Sequence, residues 1–256
     1  MPWDPAQYLK FSDHRLRPAV DLLNRIDVTH PARVYDLGAG AGNVTRLLKE
    51  RWPQARVTGV DDSREMLEKA AVAAPDIEWQ HANLATWRAP EPADVIYSNA
   101  TLHWLDGHDR LFPALMSALA PGGVLAVQLP RNFSAPSHTS ITEAARSGPW
   151  RTTLEPLLRP APVAEPAFYY GLLASRAATL DLWETEYLQV LQGDNPVKEW
   201  TKGTWLRPLL DALQEPERSA FEASYAERVL RAYPPRPDGR TLMPFRRLFI
   251  VARAPA

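Results

Sequence analysis

From Val34 to Asn43 the chain reads Val-Tyr-Asp-Leu-Gly-Ala-Gly-Ala-Gly-Asn. An apolar run carries an acid near its end, three glycines alternate, and a helical pattern begins. Glycine takes positive φ without a steric penalty and lets backbone approach a ligand with no Cβ in the way. A glycine-rich turn between a strand and a helix N-terminus is where α/β folds bind nucleotide-like ligands. The spacing is G-x-G-x-G, whereas the dinucleotide fingerprint asks for a third glycine where Asn43 stands. A tight turn with no ligand is the plain alternative. Three of the chain's 12 glycines within five residues of an acid-tipped strand weigh against it.

Around this turn, strand and helix patterns alternate, which predicts a doubly wound α/β fold. Strands are expected at Arg33–Leu37, Arg56–Val60, Ile77–Gln80, Asp94–Ser98 and Val124–Leu129. Between them, Val44, Leu47, Leu48 and Trp52, then Met66, Leu67, Ala70 and Ala71, then Leu111, Phe112, Leu115, Met116 and Leu119 recur at helical spacing. Leu180–Leu191 reads as a long strand and Arg247–Ala252 as a closing one. The expectation is one domain over 1–256 with a mostly parallel seven-stranded sheet. Two insertions, about 131–178 and 193–240, would form a helical cover over the crevice.

Hydrophobic residues make up 45% of the chain, enough for a core, and the formal net charge is −1. Near-neutral charge gives no electrostatic case for nucleic acid. With no cysteine, disulfides and thiolate zinc sites are excluded, and no metal site is expected. No apolar run reaches the ~20 residues of a membrane span, and Pro2 and Asp4 do not suit a signal peptide. A cytoplasmic protein with no membrane partner is the expectation, with the oligomeric state open. The aromatic residues Trp150, Phe168, Tyr169, Tyr170, Trp200 and Trp205 suit either an aromatic-lined cavity or a packed core.

Asp61 ends the second strand about 20 residues beyond the glycines, where an acid accepts hydrogen bonds from ribose hydroxyls. Asp62 and Ser63 compete for the N-cap of the next helix. Asp94 to Trp104 is an apolar run that ends in small polar residues at the crevice mouth. His103 there is a site residue or a core histidine.

The acid-tipped strand with this tight glycine spacing looks like the first motif of the S-adenosylmethionine-dependent methyltransferases. The likeness then extends along the chain. Trp3-Asp4-Pro5 with Tyr8, Phe11 to Pro18, Leu125 to Pro130, Trp183 to Tyr187 and Arg247 to Ala252 together resemble the trans-aconitate methyltransferase family. The resemblance implies a Rossmann-like class I methyltransferase with S-adenosyl-L-methionine as cofactor. It implies a cofactor site of Asp36, Gly38, Ala39, Gly40, Gly42, Asp61, Asp62, Met66, Asn83, Leu84, Ser98 and Asn99. Asp36 would orient the glycine loop or meet the methionine amino group. Asn83 stands where the family usually has an acid facing the adenine amino group; an Asn oxygen still accepts there, unless this is a surface turn. Ala41 stands where many members have proline, and His103 where many have glutamine.

The implied reaction is methyl transfer to a carboxylate of trans-aconitate. Such an acid is ionised at neutral pH, so its oxygen needs no general base. A small polycarboxylate calls for arginine forks. The implied substrate site is Tyr8, Arg15, His103, Trp104, Arg207 and Arg247, with Arg17 a further candidate and Arg15 alternatively on the cofactor carboxylate. Three alternatives stay open: a more apolar acceptor, a nicotinamide oxidoreductase, and a non-catalytic cofactor-binding protein. The missing third glycine of the fingerprint and the absence of an evident Tyr-x-x-x-Lys pair count against the oxidoreductase.

Overall fold

The computed structural model describes residues 16–256. In chain order the elements are α1 Arg17–Asn24, β1 Arg33–Leu37, α2 Asn43–Arg51, β2 Arg56–Asp61, α3 Arg64–Ala73, β3 Glu78–His81 and β4 Ala93–Asn99. There follow α4 His108–Ser117, β5 Leu119–Pro130, α5 Pro136–Ser147, α6 Arg151–Leu154 and α7 Pro166–Leu173. Then come β6 Thr179–Leu191, α8 Pro196–Lys202, α9 Arg207–Asp211, α10 Glu217–Ala232 and β7 Thr241–Arg253. The seven strands lie in the order β3-β2-β1-β4-β5-β7-β6. β1, β2, β3, β4 and β5 pair parallel, and β7 pairs antiparallel with β5. This is the doubly wound, mostly parallel seven-stranded sheet. Its order reverses between β1 and β4, and ligands in such sheets bind at that switch point.

The chain divides into two compact units. Among the described residues, unit 1 comprises 16–130, 162–185 and 247–256. Its central strands carry near-continuous apolar runs, as strands covered on both faces do: Val34, Val57, Val95, Ile96, Val127, Leu129 and Ile250 are all buried. Tyr97, also buried, donates its hydroxyl hydrogen to the Ala19 carbonyl at 2.8 Å and so ties α1 to β4. Residues 162–178, expected within the cover, group with this unit. The reason is α7, whose Tyr169 is fully buried against Phe112 of α4, with ring centroids 4.9 Å apart.

Unit 2 comprises residues 131–161 and 186–246. It has a core of its own, including Ile141, Trp150, Leu210, Phe221, Tyr225 and Met243. The insertion expected over about 193–240 carries α8, α9 and α10, separated by Gly203 and by the Gln214-Glu215-Pro216 stretch. The Tyr225 hydroxyl donates to the Ser137 carbonyl at 2.9 Å, and the Ser137 amide donates to the Tyr233 hydroxyl at 3.2 Å. These bonds fix the start of α5 against α10. Among the described residues no helix is long and apolar enough to cross a membrane.

Candidate active site

The glycine turn is built from the backbone outward. Gly38, Gly40 and Gly42 have φ of 84°, 54° and 80°. A Cβ at Gly38 would lie 2.0 Å from Thr101 Oγ1, and one at Gly42 would lie 2.5 Å from the Trp79 ring. These two positions accept only glycine. At Gly40 a Cβ would meet nothing within 4 Å, so the loop packs on the protein at its two ends and opens outward at its middle.

Most of the loop's N–H groups point inward. Gly38 and Ala39 both donate to the Val60 carbonyl, at 2.8 and 3.1 Å, and Gly42 donates to the Ala39 carbonyl at 2.9 Å. Gly40 donates to Asp61 Oδ2 at 2.8 Å. A pyrophosphate site needs such donors aimed at the anion. A loop that has used four of them internally suits a ligand that meets it through uncharged surface.

Asp61 is therefore a clamp as well as a strand-end acid. Its Oδ1 accepts the Ser63 amide at 2.9 Å, and Ser63 is the N-cap of α3, accepting the Met66 amide at 3.4 Å. Asp62 is not the cap: its carbonyl meets His81 Nε2 at 3.0 Å. Met66 is 41% exposed. The Asn83 side-chain oxygen accepts the Ala85 amide at 2.9 Å, closing an Asx-turn, while Leu84 is buried behind it. Asn83 is exposed, so both the turn and a ligand contact draw on the same oxygen.

Asp36 is 2% exposed and accepts the Thr45 hydroxyl at 2.6 Å. Burial raises its pKa to about 7; the Thr45 bond opposes the rise and the neighbouring Asp61 charge adds to it. Its side chain thus anchors α2 to β1. Ser98 is fully buried and spends its hydroxyl on the Leu37 carbonyl at 2.8 Å, joining β4 to β1. Asn99, one residue on, has a buried Oδ1 with no hydrogen-bond partner.

The two histidines that follow β4 differ. His108 is satisfied on both nitrogens, by the Leu102 carbonyl at 2.9 Å and the Tyr169 hydroxyl at 2.8 Å. The carbonyl can only accept, so Nε2 carries the proton and Nδ1 accepts from Tyr169. This core histidine pins the short 3₁₀ segment Leu102–Trp104, which carries His103. His103 is buried with its Nδ1 unbonded, its ring 4.6 Å from that of Trp104, which is 50% exposed. Burial, then the Arg247 charge, holds its pKa down to about 3, so the ring is neutral at pH 7.

Arg247, on β7, is 4% exposed and donates Nη1–H to Oε1 of the fully buried Gln128 on β5 at 3.2 Å. Gln128 is a buried polar residue beside Arg247 that sequence reasoning did not single out. Its only signal was an amide inside an apolar run. Arg207 stands apart from this picture: it is exposed at the start of α9 and pairs with Asp211 at 3.5 Å. Tyr8 and Arg15 lie outside the described residues. The aromatic residues divide between the two units. Trp150 is core in unit 2, where Trp200 and Trp205 pack on that core. Tyr169 is core in unit 1, and only Phe168 and Tyr170 of the set are exposed. Among the described residues no three His, Cys, Asp or Glu side chains gather as a metal site requires.

A methyltransferase domain model matches residues 34–123, from β1 into β5. The YcgJ protein of Bacillus subtilis shares the fold, with a TM-score of 0.62 at 14% identity, covering 94% of this chain and 99% of that one. So does Haemonchus contortus phosphoethanolamine N-methyltransferase 2 in complex with S-adenosyl-L-methionine. There the TM-score is 0.55 at 15% identity, covering 94% of this chain and 53% of that one. Both show a class I methyltransferase architecture and no more. Sequence carries the relation further. The chain is 50% identical over 250 residues to a trans-aconitate 2-methyltransferase of Azoarcus sp. strain BH72, covering 98% of each. To one of Streptomyces avermitilis it is 48% identical over 263 residues, covering 99% of this chain and 97% of that one. With about half its residues shared along nearly its whole length, the chain belongs to the trans-aconitate 2-methyltransferase family.

Proposed function

We propose that the chain transfers a methyl group from S-adenosyl-L-methionine to a carboxylate of trans-aconitate, forming a monomethyl ester. The observation that carries this is end-to-end identity with relatives of that name, 98% of the chain in the Azoarcus case. The glycine loop fits the cofactor, because it is open at Gly40 and offers few donors to a phosphate. The Asp61 carboxylate would accept from the ribose hydroxyls, and the Asn99 oxygen would accept from the amino group. Asp36, Ser98, Gly38 and Gly42 would hold the shape of the site rather than touch the ligand. When bound, the cofactor supplies an electrophilic methyl group.

The protein's own part is positional. The acceptor carboxylate is ionised at neutral pH, and His103 is neutral, so no proton has to move in the transfer. Arg247 would neutralise the acceptor, and a buried guanidinium does so far more strongly than an exposed one. Trp104 beside His103 would give the acceptor an apolar wall. Tyr8 and Arg15 complete the proposed acceptor set, which is small-molecule only, with no nucleic acid or membrane partner, in the cytoplasm.

The test compares methyl transfer to trans-aconitate, to its neutral triester and to an aromatic monoacid. Transfer to trans-aconitate is expected to dominate. Faster turnover of the monoacid would overturn the acceptor while leaving methyl transfer intact.

A further inference from the structure

Gln128 is a fully buried amide in the register of the sheet, opposite Asn99 of β4 on one side and Phe249 of β7 on the other. Burying a carboxamide costs free energy unless both its ends find partners. One end does: Oε1 accepts Arg247 Nη1–H at 3.2 Å. A guanidinium only donates, so this contact fixes which end of the amide faces Arg247. The other end, Nε2, is buried with no acceptor among the described residues. Such a group in a native core calls for an explanation.

The surroundings supply one. His103, neutral and with its own Nδ1 unbonded, feels the same Arg247 charge. The ends of β4 and β5 and the adjoining part of β7 therefore bring together a permanent cation and an amide N–H pair aimed away from it. Both groups are donors, and both match a carboxylate. Gln128 lies two strands from β1 in the sheet order, so about 10 Å from the glycine-loop strand at ~4.8 Å per strand. That distance separates it from the glycine loop and leaves it beside Asn99, its register partner, at the end of the proposed cofactor site where the methyl group is transferred. We propose that Gln128 is an acceptor-binding, specificity-determining residue: its Nε2–H donates to a carboxylate of the acceptor while its Oε1 holds Arg247 in place for the same anion. This rests on the carboxylate-acceptor reading above. An apolar acceptor would leave the amide as it stands, half satisfied.

Initial rates with acceptor concentration varied, cofactor Kd by calorimetry and the melting temperature test it in wild type, Gln128→Met and Gln128→Glu. Methionine keeps the volume and removes both polar ends. Its acceptor KM should rise about 10- to 100-fold, the value of a hydrogen bond to a charged group, with kcat and cofactor Kd within about twofold. Glutamate would pair with Arg247 and repel the acceptor, so its KM should rise further. That gap should narrow for a neutral ester of the acceptor. If Gln128→Glu does not fold, Gln128→Met decides alone. A folded Gln128→Met with an acceptor KM within about threefold of wild type overturns the proposal, as does a loss shared by cofactor Kd. Both outcomes leave the methyltransferase reading standing. Wild type with no transfer to any carboxylate overturns the two together.

Discussion

The two units settle their buried polar groups differently. In unit 2 every buried side-chain nitrogen or oxygen among the described residues has a hydrogen-bond partner. Ser137, Thr201, Tyr225 and Tyr233 close on one another around the apolar core. In unit 1, Asn99, His103 and Gln128 keep buried atoms unbonded, and all three sit at or just beyond the carboxyl ends of β4 and β5. A finished core and a site held ready for a ligand are told apart by this accounting better than by burial. Both are buried, and only one has donors and acceptors left over.

The largest expected effect tests whether the finished core is a separate body. Phe221 is fully buried beside Trp150 in unit 2, with ring centroids 5.7 Å apart. Phe221→Ala should lower the unfolding free energy by about 3–5 kcal/mol, the usual cost of truncating a core phenylalanine. We propose that the segments 131–161 and 186–246 fold with the sheet as insertions in one domain. Denaturant melting of the variant should then show a single transition at a lower midpoint. Two transitions, with tryptophans of the two units reporting different midpoints, would make unit 2 a domain in its own right.

How much of this was legible follows the same division. β1 was readable to the residue because its end is marked: the short run Arg-Val-Tyr-Asp-Leu is closed by the glycines. β7 was expected at Arg247–Ala252 and runs Thr241–Arg253. Pro244 hid its first half, since proline in an apolar run reads as the end of a strand. The glycine loop and Asp61 were legible because a turn of that conformation dictates its residue types. The roles of His103 and His108 were not. Five residues apart, they differ only in what reaches them: Tyr169, 61 residues downstream of His108, and Arg247, 144 residues beyond His103. Gln128 was missed for the same reason, because its partner is 119 residues away.

A smaller effect tests the legible part of unit 1. Asp61→Ala removes the acceptor of the Gly40 and Ser63 amides together with the proposed ribose contact. Cofactor affinity should fall by about 1.5–3 kcal/mol, measured by calorimetry on the folded variant. Undiminished affinity would leave Asp61 a clamp of the loop and nothing more.

The smallest effect is a slope. The Asp36 carboxyl titrates at about 7 in the folded chain, against its ordinary 3.8. Between those values the folded state binds more protons than the unfolded one. Its contribution to stability is therefore full below the ordinary value and is lost as pH rises through about 7. His103, held down to about 3 from 6.5, works the other way. There the unfolded chain binds more protons, so the folded state gains as pH rises from about 3 to 6.5. His138, lowered to about 4 by burial in unit 2, has the same sign as His103. In unit 1 the slopes of Asp36 and His103 oppose each other. Between roughly pH 4.5 and 6, Asp36→Asn should remove the falling term and leave its oxygen to accept from Thr45. The unfolding free energy should then climb more steeply with pH than in wild type, by up to ~1.4 kcal/mol per pH unit for one proton. Denaturant titrations at half-unit steps measure it as a difference between two proteins, so groups common to both cancel. An unchanged slope would mean that Asp36 is ionised in the folded chain, and that its bond to Thr45 outweighs the cost of burying the charge.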